Sequence, residues 1–285
     1  MAEPISLRPE KIVDGVEVFP VRTPTLPPAT HTNSYALGER EVVLVEPATP
    51  YAEEIAAFVE WARDLKAQGR RLIALFLTHH HIDHVGGAET LARELELPLW
   101  AHALTAERLR DLEIARRLDE GESIVLDGPT PQRWEVLFTP GHAPGHLCLF
   151  ERTLEQLVVG DMLASEGTIL IEPGDGDMRR YLSELERLAG LDAKTALPAH
   201  GRPIREPATL FSHYIAHRLM RQEKIVAALA AAGKSGDTPE GLLPRVYDDT
   251  AQAAWPLGLL SLRAHLVKLV AEGRVEQRDA RYVLS

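Results

Sequence analysis

Residues 78–87 read Thr-His-His-His-Ile-Asp-His-Val-Gly-Gly, and this stretch constrains the chain more than any other. It follows an apolar run over 72–77 that is short and bulky enough for a buried strand. Four histidines and an aspartate therefore crowd together where a strand ends. Clustered imidazoles repel one another once protonated and lose solvation when buried, whereas a bound metal stabilises the neutral ring. The stretch therefore predicts a metal site.

Composition limits the class of protein. The 285 residues are 45% hydrophobic and 26% charged, as in an ordinary globular protein of one large domain, or one domain with a small appendage. A net charge of -11 excludes a nucleic-acid-binding surface over the whole chain, although a local basic stripe stays open. Cys148 is the only cysteine, which excludes an intramolecular disulfide and a cysteine-rich metal site. We find no signal-peptide pattern and no apolar run of membrane-spanning length, and expect a cytoplasmic protein without a membrane partner.

The order of predicted elements divides the chain into two parts. Residues 1–232 alternate short apolar strands with helical patterns and end in a long helix over 208–231. Within this part, apolar spacing predicts a helix over 105–118. A linker at 233–239 is followed by two helical patterns and a hairpin, which is typical of a winged helix. We therefore expect an α/β (α+β) domain over 1–232 and a winged-helix-like domain over 233–285.

Metal-competent side chains recur where the predicted strands end. They are His79 and His81, Asp83 and His84, His142, Asp161, and His200. Residues two apart in an extended chain point the same way, so His79 and His81 can bind one ion while His80 points elsewhere. Asp83 and His84 lie on the following turn and can reach a second ion, with Asp161 as the candidate bridge. Nitrogen and carboxylate ligands without a thiolate suit zinc, manganese or iron.

The pattern His79-x-His81-x-Asp83-His84, with the three downstream residues, resembles the metallo-β-lactamase-fold hydrolase superfamily over about residues 10–232. The resemblance implies an αββα sandwich with the site at one edge of two facing sheets. It implies the following ligand sets: His79, His81 and His142 for the first metal, Asp83, His84 and His200 for the second, and Asp161 as the bridge. All seven positions are filled, which favours a catalytic member.

A narrower resemblance, to the β-lactamase-like protein 2 family with its C-terminal winged helix, covers nearly the whole chain. It rests on residues 32–35, 139–146 and 199–201, on His217, Arg218, Arg221 and Gln222, and on residues 262–273 as the second helix of the winged helix. One position departs from the family, whose early strand usually ends Leu-Ile-Asp-Thr-Gly. This chain has Glu46 in place of the aspartate. We expect the longer acid to affect the support of the metal loop rather than the number of ligands.

The remaining histidines have competing interpretations. His146 either supports a ligand from behind or only hydrogen-bonds within its own loop. His80 is expected to contact backbone rather than metal, and His31 to be a surface residue in a loop that often borders the site in the family. His213 and His217 are spaced i, i+4, which could place both on one helix face. Because the ligand set is already full, packing or substrate contact is the favoured role for this pair.

A basic cluster follows His200 in the sequence. It comprises Arg202, Arg205, Arg218, Arg221 and Lys224. The cluster either lines a phosphate path or forms a solvated, salt-bridged helix face. The residues expected to contact substrate are His217, Arg218 and Arg221. In the winged helix, Arg263 and Lys268 have acidic neighbours, which favours packing or dimerisation over nucleic-acid binding.

These residues predict a dinuclear hydrolase that uses a metal-bound hydroxide. Coordination lowers the pKa of water towards about 7, and Asp83, the expected catalytic residue, would orient the nucleophile. We expect two divalent ions, zinc first, with manganese or iron as alternatives, and a small ester, thioester or lactone substrate, as in hydroxyacylglutathione hydrolases. Two alternatives stay open: a single-strand endoribonuclease, which the narrower resemblance implies, and a non-enzymatic module that binds a partner and holds structural metals. A homodimer is compatible with the sequence but not required by it.

Overall fold

Residues 8–285 are described by the computed structural model, and they form two units. The first contains the described residues up to Thr139 together with Gly145–Thr168 and Asp192–Pro207. The second contains Pro140–Pro144, Ile169–Leu191 and Ala208–Ser285. These units do not divide at 232/233, because two earlier segments group with the C-terminal residues. The expected domain boundary at 232/233 stays a prediction.

A seven-stranded sheet follows chain order through the first half of the first unit. Its strands are β1 (Glu10–Val13), β2 (Val16–Arg22), β3 (His31–Leu37), β4 (Glu41–Val45), β5 (Arg71–Phe76), β6 (Leu99–Ala101) and β7 (Ile114–Arg117). Strands β1 to β4 pair antiparallel, and β4 to β7 pair parallel. The helices between them are α1 (Ala52–Ala67), α2 (Ile82–Val85), α3 (Ala88–Leu95) and α4 (Ala103–Arg108).

The helix expected over 105–118 was wrong beyond Arg108. Helix α4 ends at Arg108, and β7 occupies Ile114–Arg117. Leu99 of β6 is aligned with Ile114 of β7 in a parallel pair. Pairing with the edge of the sheet therefore overrides the local helical pattern, as tertiary context often does.

A second sheet of six strands has the order β13-β12-β11-β10-β9-β8. Its strands are β8 (Ser123–Leu126), β9 (Gln132–Phe138), β10 (Leu147–Glu151), β11 (Gln156–Gly160), β12 (Thr195–Pro198) and β13 (Ile204–Arg205). Strands β11 and β12 pair parallel, whereas their neighbours pair antiparallel. The residues that follow β11 and β12 therefore emerge at the same edge of this sheet.

Apolar side chains cover both faces of the first sheet. On one face, Leu44 and Leu75 pack in a buried cluster with Phe58 of α1 and Leu91 of α3. On the other face, strand residues of the first sheet share a buried cluster with strand residues of the second, including Tyr35, Phe76, Trp134 and Leu149. The first unit is thus layered as helices, sheet and sheet, which is the order that a large apolar core between two half-buried sheets requires.

The second unit is mainly helical. Its elements are α5 (Met178–Ala189), α6 (Ala208–Ala232), α7 (Pro239–Val246), α8 (Trp255–Ala271), β14 (Val275–Arg278) and β15 (Arg281–Leu284), with short 3-10 helices at Gly233–Ser235 and Gln252–Ala254. Helix α7 begins with a Thr238 side chain that accepts a hydrogen bond from the Gly241 N–H, and with Pro239 in the first turn. Helices α6, α7 and α8 share a core with the closing hairpin. Of the helices within 8–285, none has the length and apolar character needed to cross a membrane.

Candidate metal centre

The end of β5 delivers the histidine-rich segment to the edge of the first sheet. His79 Nε2 lies 3.0 Å from His81 Nδ1, so these two side chains point to one place, as alternate residues of an extended segment do. The His81 carbonyl then accepts hydrogen bonds from the N–H groups of His84, at 2.9 Å, and Val85, at 3.1 Å. This turn begins α2 and carries Asp83 and His84 onto a short helix.

Four side chains meet at a second position. His84 Nε2 lies 3.8 Å from Asp83 Oδ1 and 3.6 Å from Asp161 Oδ2. His200 Nε2 lies 3.6 Å from Asp83 Oδ2 and 3.4 Å from Asp161 Oδ1. Asp161 follows β11 and His200 follows β12, so the parallel pairing of these strands brings both residues to the same edge. We call these four residues the acidic ligand group.

The separations within the acidic ligand group suit a shared ion. They exceed hydrogen-bond distance, whereas zinc bonds of about 2.0–2.2 Å in tetrahedral geometry place ligand atoms roughly 3.4 Å apart. The Nε2 atom of His84 is buried and has no hydrogen-bond partner among residues 8–285. Buried ring nitrogens normally have a partner, and this one faces two carboxylates. The residues present therefore fit a divalent cation.

Charge in this region leads to the same conclusion. Burial lowers the pKa of His84, but the carboxylates of Glu46, Asp161 and Asp83 outweigh that effect and hold the pKa well above its ordinary value. Three carboxylates around one buried imidazole require positive charge. A divalent ion would supply that charge and leave His84 neutral.

Glu46 contacts His84 directly and reaches His79 through Thr78, so it lies behind residues of both predicted ligand sets. Its Oε1 accepts a hydrogen bond from Thr78 Oγ1 at 2.5 Å and lies 3.0 Å from His84 Nδ1. Thr78 Oγ1 also lies 2.9 Å from His79 Nδ1. Because Thr78 donates its one hydroxyl proton to Glu46, its oxygen accepts from the Nδ1–H of His79. With a bound cation keeping His84 neutral, both His79 and His84 present an unprotonated Nε2, the form that binds a metal.

The replacement of the usual aspartate by Glu46 is accommodated by the backbone. Glu46 is buried and has a left-handed φ of +57°. Its N–H donates to the Phe76 carbonyl at 3.0 Å, and its own carbonyl accepts from Ser34 Oγ at 2.5 Å. The side chain of Glu46 therefore reaches both Thr78 and His84, and the expected effect of the longer acid on the support of the metal loop stays a prediction.

His146 holds the backbone of the expected bridging ligand. Its Nε2 accepts a hydrogen bond from the Asp161 N–H at 3.1 Å, so Nδ1 carries the proton and donates to Thr139 Oγ1 at 2.8 Å. Gly160 has a φ of +47°, and a Cβ there would lie 2.6 Å from the ring nitrogen. Glycine therefore allows the close approach of the ring. His146 hydrogen-bonds within its loop and also supports Asp161.

Strand β3 supports the site through contacts that the sequence did not predict. Thr32 Oγ1 donates to the Asp83 carbonyl at 2.8 Å. The Asn33 side-chain amide donates, at 2.9 and 2.7 Å, to carbonyls on either side of His200. The His31 carbonyl accepts from His200 Nδ1 at 3.0 Å. His31 is half-buried, where a surface position was expected, and it acts here through its backbone. The one available signal was a polar run inside a strand of otherwise apolar neighbours.

His142 lies in the loop 140–144 and belongs to the second unit. Its Nδ1 donates to the Leu170 carbonyl at 2.8 Å, so its Nε2 bears no proton. A metal-binding histidine needs this tautomer, commonly fixed by such a carbonyl. The assignment of His142 to the first metal, beside His79 and His81, stays a prediction.

The arginines on α6 are engaged by protein groups of the second unit. Arg218 is 3% exposed and donates from Nη2 to the Ile169 carbonyl. Arg221 is 6% exposed and donates from Nη1 to Asp249 Oδ1 at 2.6 Å. Neither side chain lies on a solvated helix face. The expected contact of these two residues and His217 with substrate stays a prediction.

Comparison with protein families identifies the class of this chain. Residues 27–200 match the metallo-beta-lactamase superfamily, and residues 238–281 match the beta-lactamase-associated winged helix domain. The chain therefore belongs to the metallo-beta-lactamase superfamily. It is a metal-dependent hydrolase with a metallo-beta-lactamase fold and a C-terminal winged helix, which confirms the predicted resemblance, fold class and enzyme class.

Individual relatives are similar to this chain over most of its length. A beta-lactamase-like protein 2 homolog of Caenorhabditis elegans is 27% identical over 272 residues, which cover 94% of this chain and 88% of the relative. An atrochrysone carboxyl ACP thioesterase of Pseudocercospora fijiensis is 27% identical over 223 residues, covering 78% of this chain and 63% of the relative. A metallo-beta-lactamase family protein of Thermus thermophilus has a solved structure that superposes with a TM-score of 0.78 at 24% identity, covering 96% of this chain and all of that one. This structural likeness shows the fold.

Proposed function

We propose that this chain is a dinuclear metal hydrolase that acts on a small ester, thioester or lactone. The observation that carries the proposal is the acidic ligand group, Asp83, His84, Asp161 and His200, whose ring nitrogens and carboxylate oxygens face one another at 3.4 to 3.8 Å. These residues would hold one ion, and His79, His81 and His142 the other, with Asp161 shared. Zinc is the first expectation for both ions, because the set contains nitrogen and carboxylate without thiolate.

Within the protein, Asp83 and the residues that fix its position would orient the attacking water. When bound, two divalent ions lower the pKa of water and polarise a substrate oxygen. Asp83 would bind an ion through one carboxylate oxygen, and its other oxygen could then hold the attacking water in position and take its proton. Thr32 Oγ1 fixes the Asp83 backbone, and His146 fixes the Asp161 backbone. These contacts keep the two carboxylates from drifting when charge develops on the substrate.

The exposed surface next to the ligands favours an acyl substrate. Ile82, between the ligands His81 and Asp83, is 59% exposed. An exposed isoleucine beside the reacting centre offers an apolar contact to an acyl or thiol group. The relative named as an ACP thioesterase supports the same substrate class.

A polyanionic substrate has less support. Besides the buried arginines, Lys224 is paired with Asp248 and Asp249, and Arg263 with Glu240. Basic groups paired in this way offer little free charge to a phosphate backbone. Single-stranded RNA is therefore included in the experiment as the competing substrate.

The test compares substrates on one metal-loaded preparation. Zinc-loaded protein is incubated with a panel of aryl and acyl thioesters, with lactones, and with labelled single-stranded RNA. We expect turnover of a thioester or lactone that is lost in Asp161→Ala, with RNA left intact. Asp127→Ala, which removes an exposed carboxylate paired with Arg40, serves as the matched control and should keep wild-type activity.

Two results would contradict the proposal. RNA cleavage that disappears in His79→Ala, without thioester or lactone turnover, would assign the chain to the endoribonucleases. Absence of turnover on the whole panel in protein shown to contain metal would exclude the small-acyl substrate class.

A further inference from the structure

We propose that Arg218 is a positioning residue for His142, so that helix α6 of the second unit sets the geometry of one predicted metal ligand. The inference rests on the proposed function, because His142 is a ligand only within that proposal. It differs from a substrate contact for Arg218: the guanidinium acts on the protein's own backbone. Every contact that follows lies within the second unit.

The loop that carries His142 is held at two points. The Asp177 N–H, at the start of α5, donates to the Gly141 carbonyl at 2.8 Å. The His142 ring itself donates from Nδ1 to the Leu170 carbonyl at 2.8 Å. One contact fixes the backbone next to the ligand, and the other fixes the ring and its tautomer.

Close packing leaves this loop little freedom. Gly141 has a φ of +146°, and a Cβ there would lie 2.4 Å from both the N and the Cα of Tyr181. Only glycine allows α5 to come this close to the loop. The orientation of His142 therefore depends on where Tyr181 and the segment around Leu170 are held.

Arg218 touches both of these supports. Its Nη2 donates to the Ile169 carbonyl, one residue before the carbonyl that His142 uses. Its guanidinium carbon lies 5.7 Å from the centre of the Tyr181 ring, within the range of a cation–π contact. The guanidinium of Arg218 thus hydrogen-bonds to the peptide before Leu170 and packs against Tyr181, the residue that Gly141 allows to come close to the loop.

Simple packing does not explain a charged residue here. Arg218 is 3% exposed, and within the described part of the chain it forms no ion pair with a carboxylate. A buried guanidinium without a carboxylate is costly, and an apolar side chain would fill the space at less cost. What arginine adds is a donor for Ile169 combined with a planar face for Tyr181.

Arg221 is a matched comparison on the same helix. It is 6% exposed and lies over the Tyr247 ring, at 4.6 Å. Its hydrogen bonds go to the Val246 carbonyl at 2.8 Å and to Asp249 at 2.6 Å. Arg221 therefore anchors the end of α7, whereas Arg218 anchors the support of His142.

The experiment measures metal binding rather than turnover. Full-length wild type, Arg218→Met and Arg221→Met are loaded with zinc, and the affinity for each ion is measured by competition with a chromophoric chelator. Circular dichroism and the unfolding midpoint report the fold of each variant. We expect Arg218→Met to bind one of its two ions about 10- to 100-fold more weakly, the usual effect of removing a group that orients a ligand. Arg221→Met should keep both affinities.

Nuclear magnetic resonance of ring-labelled histidine gives a second readout. In metal-loaded wild type, one Nδ1–H signal that is absent in His142→Gln should mark the His142 tautomer, and Arg218→Met should shift or broaden it. If Arg218→Met does not fold, Arg218→Lys replaces it, because lysine keeps the charge but loses the planar contact with Tyr181. That variant should show a smaller but measurable loss of affinity for the same ion.

Three results would overturn the inference. They are unchanged affinities in a folded Arg218 variant, an unchanged His142 signal, or equal losses in Arg218→Met and Arg221→Met. A wild-type protein that binds no divalent ion would instead overturn the proposed function. The two failures are therefore distinguishable.

Discussion

The acidic ligand group, which is buried except for the half-buried Asp83, and the two buried α6 arginines, Arg218 and Arg221, are both sets of ionisable side chains, but their surroundings differ. In the ligand group, ring nitrogens and carboxylate oxygens face one another at distances too long for hydrogen bonds, and His84 Nε2 has no partner within residues 8–285. The arginines donate from their Nη atoms to backbone carbonyls, and Arg221 also to a carboxylate, while the Nε of each has no hydrogen-bond partner within residues 8–285.

This difference separates a site that binds a cation from a site that builds the fold. In the acidic ligand group, two carboxylates and two imidazole rings converge on one position that a cation can fill, whereas the Nη atoms of each guanidinium are directed at protein acceptors. Buried charge alone therefore does not indicate function. The convergence of several nitrogen and carboxylate oxygen atoms on one position does.

The largest expected effect is on the catalytic carboxylate. Asp83→Asn keeps the size of the side chain but removes the group that holds and deprotonates water, so kcat/KM on a thioester should fall by about 10² to 10⁴. The measurement is a steady-state assay with metal content determined in parallel. Near-wild-type kcat/KM in a fully metal-loaded variant would remove Asp83 from the catalytic role.

A smaller effect is expected for Glu46, which accepts a hydrogen bond from Thr78 and lies beside the His84 ring. Glu46→Gln keeps the shape but removes the charge that supports Thr78 and His84, and it should weaken metal binding by about 10- to 100-fold. Glu46→Asp, which is one methylene shorter, should have a metal affinity between those of Glu46→Gln and wild type. Chelator competition measures both.

Glu155→Gln is the control for this pair of variants. Glu155 is an exposed partner of Lys194, and its replacement should leave metal affinity unchanged. Equal affinities in Glu46→Gln and wild type would show that Glu46 does not support the ligands.

For Arg221, the comparison predicts a lower free energy of unfolding with an unchanged metal content. Arg221→Met leaves the Val246 carbonyl without its donor and should lower the free energy of unfolding by about 1–3 kcal/mol. Denaturant unfolding measures this, and elemental analysis should find the metal content unchanged. Arg278→Met, at an exposed pair with Glu276, should change stability by less than about 0.5 kcal/mol. Loss of metal in Arg221→Met would contradict the separation of the acidic ligand group, which binds metal, from the α6 arginines, which stabilise the fold.

The effect that is smallest near neutral pH concerns His265, and it grows as pH falls. Burial, together with the charges of Arg218, Lys268, His217 and Arg221, lowers the pKa of His265 to about 3. The unfolded chain takes up a proton near the ordinary histidine value while the folded protein does not, so stability should fall as pH drops from about 6.5 towards 3.

The matching measurement compares unfolding free energies of wild type and His265→Asn across this range. The variant should show a shallower dependence, with a difference of at most about 1.4 kcal/mol per pH unit. Burial also lowers the pKa of His217 to about 4, which the variant retains. Identical slopes would mean that His265 is protonated in the folded protein.

Much of the candidate metal centre could be predicted from local sequence rules. His79 and His81 point together because they are alternate residues of an extended segment, and Asp161 and His200 emerge together because β11 and β12 are parallel neighbours. Hydrophobic periodicity also placed α6, which runs over Ala208–Ala232. The metallo-beta-lactamase fold was correctly predicted from the resemblance carried by the metal-ligand pattern, and the winged helix from its helix, helix and hairpin pattern together with the narrower resemblance.

Other features depend on contacts between distant residues. The left-handed backbone of Glu46 follows from its hydrogen bonds to Ser34 and Phe76. The grouping of the His142 loop with the second unit follows from pairing with Leu170 and Asp177. No pattern local to these residues contains that information.

Burial of Arg218 and Arg221 was the feature that sequence patterns described least well. A charged residue on a long helix is usually solvated, so a salt-bridged surface or a phosphate path were the natural expectations. Both interpretations assumed exposed charge. The structure instead supplies carbonyl and aromatic partners inside the second unit.

The central claim is that the ligands form a two-ion hydrolytic centre for a small acyl substrate. The most direct test titrates metal-free protein with zinc while metal content and thioester hydrolysis are followed together. The account predicts binding of two ions per chain, with activity that depends on both. Protein that binds no ion, or that hydrolyses the thioester equally well after complete metal removal, would contradict it.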